Sequence, residues 1–253
     1  MKMKKALNQT GNERIIRQDR AVFKTVLATA VLLLFFFAQG AVVIVNNVEG
    51  EASAVIRGTI IALASVAAIV FSLIKHKSLT PLGFRKPEKG SSKNLLYFIP
   101  LLVIALSALV CGIDIGKGSV YLISNLFLAL TVGLAEEIYF RGIICNMWLR
   151  QSKKKAVVIS SVLFGLCHLM NIMGGAGIAE TALQICFAFA YGIAFALIFA
   201  RSRSIWPCVL LHAFHDLCSF VSPDGSLRLN VFIGAFQFVL LVAYIIVIIR
   251  KDK

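Results

Sequence analysis

Two glutamates, Glu136 and Glu137, stand side by side in a stretch that is otherwise apolar. Further downstream, apolar stretches carry His168 with Asn171, and His212 with His215 and Asp216. An ionisable group inside a bilayer costs about 2.5–3.5 kcal/mol on insertion scales, so each of these is a functional candidate by default. Their spacings assign them to helix faces. Glu137 and Arg141 are four apart, acid before base, and pair across one turn. Glu136 points about 100° away from Glu137 on the same helix, which leaves one acid to be neutralised and the other free to act on water. Phe164, His168 and Asn171 follow at helical spacing, as do His212 and Asp216, with His215 near the same face. A carboxylate with two or three imidazoles can activate a water as a set of general bases. The same set can hold a divalent metal such as zinc, in which case Glu136, His168 and His212 are the ligands. The residues leave that choice open, and a metal-free glutamate mechanism fits equally well.

Eight apolar runs must position these groups, near residues 23–45, 58–74, 95–113, 120–148, 156–170, 179–200, 204–222 and 229–249. The chain is 59% hydrophobic and 15% charged over 253 residues, whereas soluble domains carry about 25% charged residues. Runs of about 17–25 apolar residues cross a hydrocarbon core of about 30 Å as helices. The reading is an all-α polytopic membrane protein with about eight transmembrane helices, multi-pass in the cell membrane. At a rise of about 1.5 Å per residue, Glu136 lies about 21 Å from Arg150 and His168 about 20 Å from Lys155. On the same scale His212 and Asp216 lie about 13 and 20 Å from Arg203, so three helices place polar groups in one layer.

The charge of +14 does not call for nucleic acid, because its placement is that of a topology signal. Of 26 basic residues, only Arg57, Lys117 and Arg228 fall on the odd-numbered connections. That bias predicts both termini inside the cell. Residues 1–22 read as a cytoplasmic basic tail at the membrane surface. Residues 23–253 form a single transmembrane domain, and the segment 76–93 is a turn-rich connection. Six cysteines sit in or beside apolar runs without metal-ligand spacing and read as small core residues.

The ordered motifs Glu136-Glu137-x-x-x-Arg141, Phe164-x-x-x-His168 and His212-x-x-x-Asp216 resemble those of the CPBP family of intramembrane proteases, also called Abi or type II CAAX prenyl endopeptidases, in the bacterial type. The resemblance covers a protease-like core at about 78–220 and implies an eight-helix membrane enzyme in which Glu136 and His168 hold the attacking water while His212 and residue 216 face the oxyanion. Many members carry Asn where this chain has Asp216. A carboxylate donates no hydrogen bond unless it is protonated, so Asp216 either carries a proton or orients His212 or His215. The function this implies is an intramembrane endopeptidase that hydrolyses a membrane-associated peptide or protein, such as a bacteriocin, pheromone or CAAX-like precursor. Membrane lipid and the peptide substrate are the implied partners. A non-proteolytic immunity or scaffold protein is the alternative, and it would need the fold but not Glu136.

Overall fold

The computed structural model describes residues 2–88, 98–223 and 225–251. Residues 95–97 of the third apolar run and residues 89–93 of the connection before it lie outside them. The elements in order are α1 (Lys2–Val45), α2 (Gly50–His76), a 3₁₀ turn (Thr80–Leu82), α3 (Ile99–Ser107), two further 3₁₀ turns (Ala108–Cys111 and Ile115–Lys117), α4 (Gly118–Glu137), a π-helix (Ile138–Cys145), α5 (Asn146–Leu149), α6 (Lys153–Cys167), α7 (Met170–Met173), α8 (Ile178–Ser202), α9 (Trp206–Val221) and α10 (Leu227–Lys251). No strand occurs among the described residues. The fold is all-α, and large apolar side chains such as Phe23, Phe71, Leu183 and Phe232 point outward. Arg141, Glu137 and His212 are buried instead. That inversion suits a protein whose outer solvent is lipid.

Six segments are long and apolar enough to cross a membrane: Ile16–Val45, Gly50–His76, Ile115–Leu149, Lys153–Met173, Ile178–Ser202 and Arg228–Lys251. The other two expected runs form shorter helices. The third covers Ile99–Cys111, and the seventh is α9 with 16 residues, about 24 Å at helical rise. Both are shorter than a full hydrocarbon core, and α9 gains its shelter from protein, packing on α3 and α4. The segment read as a basic tail is helical from Lys2 and runs unbroken into the first apolar run.

Local chemistry sets the ends. Ser152 caps α6 by accepting from the Lys155 N–H at 3.4 Å. Pro207 occupies the first turn of α9, where a missing N–H costs nothing. Lys77 and Arg203 close α2 and α8 in the left-handed conformation, each N–H returning to a carbonyl one turn back. The described part of the connection after α2, residues 77–88, forms a clasp. Ile205 N–H donates to Gly83 O at 2.9 Å, Ser204 Oγ to Arg85 O at 2.6 Å, and Asn146 Nδ2 to Pro81 O at 2.9 Å. This loop ties the π-helix end to the α8–α9 turn, which fixes α9 relative to α4.

The interior helices approach closely because small residues line their crossings. A Cβ at Gly133 of α4 would stand 3.0 Å from the Ala213 backbone nitrogen of α9. One at Gly192 of α8 would stand 3.0 Å from Ser161 Cα of α6. These two contacts draw α4, α6, α8 and α9 around one point, and the candidate site is there.

Candidate active site

α4 delivers Glu136 and Glu137 as its last two residues, and the chain then widens into the π-helix that carries Arg141. π-helical turns are rare and frequently occur at functional sites, because they displace side chains from α-helical register. A neighbouring hydroxyl meets a carbonyl of the widened turn: Ser160 Oγ on α6 donates to Phe140 O at 2.9 Å. Arg141 is fully buried and binds Glu137 Oε1 through Nη1 at 2.9 Å. Its guanidinium lies 4.4 Å from the centre of the Phe164 ring and 5.4 Å from that of Phe195. The pair expected from the i, i+4 spacing is therefore present, although it forms where the α-helix gives way to the π-helix.

Glu137 does a second job that spacing did not reveal. The same oxygen, Oε1, lies 2.9 Å from Nδ1 of His212. With a proton on Nδ1 the imidazole donates to the carboxylate, and this bond fixes which edge of the ring faces the interior of the site. The opposite nitrogen, Nε2, lies 3.8 Å from Glu136 Oε2 and 3.6 Å from Asp216 Oδ2. So the two adjacent glutamates flank one imidazole, with Glu137 behind it and Glu136 in front. Asp216, expected either to carry a proton or to orient His212 or His215, stands beyond hydrogen-bond distance of both rings, its Oδ2 being 3.6 Å from His212 Nε2 and its Oδ1 3.7 Å from His215 Nδ1.

His168 terminates α6 and holds its ring by Nδ1 against the Phe164 carbonyl at 3.0 Å. Phe164 packs edge-on against both histidines, with centroid distances of 5.5 Å to His168 and 5.7 Å to His212. His215 packs against two aromatic rings, Phe187 at 5.7 Å and Tyr191 at 5.2 Å. Tyr191 and Phe195 also approach the His212 ring, at 6.4 and 6.0 Å. The sequence reading passed over this wall as a functional element, yet its signal was present: Phe187, Tyr191 and Phe195 recur every fourth residue along α8.

Asn171 falls elsewhere. α6 ends at Cys167, so Asn171 does not continue its face. The side chain donates to Gln184 Oε1 at 2.7 Å and lines a separate cleft. Among the described residues, no three His, Cys, Asp or Glu side chains are gathered as a metal-ligand set. His212 has one nitrogen committed to Glu137 and His168 has one committed to a backbone carbonyl. A metal-bound histidine makes the same outer contact through its other ring nitrogen, so these two bonds are compatible with a metal-held and with a metal-free water.

The exposure of the cluster is graded. The side chains of Glu137 and Arg141 are 0% accessible, while those of Glu136 and Asp216 keep 11% and 17%. A reacting molecule can reach the second pair and not the first. Residues 118–218, the segment that contains the whole cluster, match the family profile of type II CAAX prenyl endopeptidase Rce1-like proteins. That match supports a CPBP-family intramembrane protease. The family it matches consists of proteases acting on peptide bonds, and the Glu136–Asp216 cluster lies inside the matched segment. No curated protein matches the chain.

Proposed function

We propose that this protein is a CPBP-type protease that hydrolyses a peptide bond in a membrane-associated peptide with a water activated by Glu136. The observation that carries the reading is the position of the His212 Nε2, 3.8 Å from Glu136 and 3.6 Å from Asp216, with Nδ1 held from behind by Glu137. In this scheme Glu136 takes a proton from water as the oxygen attacks the carbonyl carbon, with His168 as its partner on that water. The tetrahedral oxyanion forms on the Nε2 side of His212. To donate there, the ring must carry protons on both nitrogens, and Glu137 is the counter-charge placed for that cation. As the intermediate collapses, the C–N bond breaks and the leaving amine takes the proton from Glu136.

The substrate is a peptide that reaches the site through the bilayer. A prenylated CAAX-type chain, for which the matched family is named, and an apolar precursor such as a bacteriocin or pheromone are the classes to compare. The basic-residue bias supports eight crossings with both termini inside a cell membrane, the third and seventh being the shorter helices. The test is cleavage by the purified, membrane-reconstituted protein of a fluorogenic CAAX-type peptide and of an apolar precursor peptide, read by mass spectrometry. Cleavage of either at one defined bond, lost in His168→Ala, supports the reading. No cleavage of either by folded protein contradicts it.

A further inference from the structure

A second feature lies where α1 turns into α2. There α1, α2 and α7 enclose a cleft of about 380 Å³. Arg57 of α2 stands in it level with Gln39 of α1, its Nη1 donating to Gln39 Oε1 at 3.0 Å and its Nε to Ser53 Oγ at 3.1 Å. From Gln39 the lining rises through Gly40 and Ile44 to the exposed Val45 at the α1–α2 turn. Both acceptors of Arg57 are neutral, and among the described residues no carboxylate pairs with it and its Nη2 makes no hydrogen bond. A half-buried guanidinium at membrane depth with donors to spare is set up for an anion from outside the chain.

The opposite wall joins the cleft to the catalytic cluster. Met170, Asn171 and Met173 of α7 form it, and the Asn171 N–H donates to the His168 carbonyl at 3.0 Å. The two unbranched thioethers adapt to apolar side chains of different shape. Gly58, next to Arg57, meets α4, where a Cβ would stand 3.1 Å from Thr131 Oγ1. Further along, the Tyr139 hydroxyl donates to Ala64 O at 3.2 Å. α2 and α4 therefore run in the same direction, and Glu136 lies deeper than Arg57 when measured from the α1–α2 turn. Thr131 precedes Glu136 by about 7.5 Å of helical rise, and packed helix axes lie about 8–10 Å apart. On the backbone Arg57 is thus about 12 Å from Glu136, roughly the span of three or four extended residues.

Depth indicates which anion fits. α2 has 27 residues, about 40 Å at helical rise, which matches a bilayer including its headgroups. Arg57 lies about 10 Å from the Gly50 end, or about 5 Å below the boundary of a hydrocarbon core of about 30 Å. The bias of basic residues puts that end on the outer face. Resting on the function proposed above, we infer that Arg57 binds the free C-terminal carboxylate of the substrate, which points to the outer face and lies about three or four residues beyond the cleaved bond. Met170 and Met173 flank the segment between, and the lining from Gly40 to Val45 leads the released piece outward. An apolar peptide with its N-terminus inside and a carboxylate at the outer boundary is what an earlier hydrolysis on the outer side leaves behind, as when a leader is cut from an exported chain. That is the class of reaction that supplies the substrate.

The full chain carrying Glu136→Gln, so that bound peptide is not hydrolysed, is purified in neutral detergent. It is titrated with a dansyl-labelled apolar peptide ending in a free carboxylate and with the same peptide as its C-terminal amide, read by fluorescence anisotropy. The acid should bind about 10-fold or more tighter than the amide, the scale of a charge-assisted hydrogen bond. Adding Arg57→Gln should abolish that preference and leave amide binding unchanged. Arg57→Lys should keep only part of it, because an ammonium cannot form the bidentate pair. Equal binding of acid and amide with Arg57 present overturns the site, as does an unchanged preference in folded Arg57→Gln. An amidated peptide ending in a glutamate side chain that binds as tightly as the acid would make this an acidic-side-chain site, which also overturns the proposal. Orientation is read in right-side-out vesicles with Gly40→Cys, since Gly40 lines the cleft and a Cβ there meets nothing within 4 Å. A membrane-impermeant thiol reagent should add label from outside, above the wild-type background, and the acid peptide should protect against it; labelling from the inner side alone overturns the orientation. Acid-selective binding through Arg57 by a chain whose wild type cleaves no peptide would contradict the proposed function while leaving the carboxylate site standing.

Discussion

The two edges of the His212 ring face opposite environments. Behind Nδ1, Glu137 and Arg141 are sealed from solvent and stacked under Phe164 and Phe195. In front of Nε2, Glu136 and Asp216 remain accessible and make no close hydrogen bond to the ring. Neighbouring carboxylates on one helix thus divide the work: the buried one is satisfied by partners and orients, and the open one is free to react. A buried charge that already has its partners has no capacity left for a substrate, whereas an accessible acid beside a fixed imidazole does.

The largest effects should come from the sealed side, and on stability. Removing one partner of a buried ion pair strands the other charge, at about 3–5 kcal/mol. Glu137→Gln and Arg141→Met should each lower the yield of folded protein, and the double variant should recover part of it, as measured by fluorescence-detected size exclusion. Normal yield in both single variants would break the division. Next is the reacting edge. His212→Ala should cut cleavage by about 100-fold or more at near-normal yield, the usual scale of an oxyanion or proton-transfer contribution.

Much of this was legible in the sequence, because intramembrane charge is rare and expensive. Glu136, Glu137, Arg141, His168, His212 and Asp216 were picked out on cost alone, and the Glu137–Arg141 pair followed from an i, i+4 spacing. Helical projection held into the π-helix at Ile138–Cys145, where Arg141 meets Glu137, but not past the end of α6. It gave Asn171 a place in the cluster, whereas the chain turns at Cys167 and sends that side chain to Gln184. The Glu137–His212 bond spans 75 residues of sequence. It depends on the approach of α4 to α9 at Gly133 and Ala213, which no local pattern encodes. For the same reason the two helices shorter than a membrane span could not be foreseen: α9 is sheltered by its neighbours rather than by its own length.

Smaller effects sharpen the comparison. Because Glu137 already sets the ring, Asp216→Asn should leave cleavage within about 10-fold of wild type. A loss approaching 10⁴-fold, the order seen when a tautomer-setting carboxylate becomes an amide, would transfer the orienting role to Asp216. On the sealed side, Ser160→Ala removes the donor to the Phe140 carbonyl. It should cost about 1 kcal/mol of stability, the net value of one hydrogen bond, with cleavage per folded molecule unchanged in the same reconstituted assay.

The most direct test is Glu136→Gln, assayed for cleavage of whichever peptide the wild-type protein processes and normalised to folded protein in the same membranes. The substitution keeps the size of the side chain, and Glu136 forms no buried ion pair with Arg141, so abundance and thermal stability should match wild type. Cleavage should fall by about 100-fold or more with the loss of the general base. Wild-type cleavage by Glu136→Gln would contradict the account.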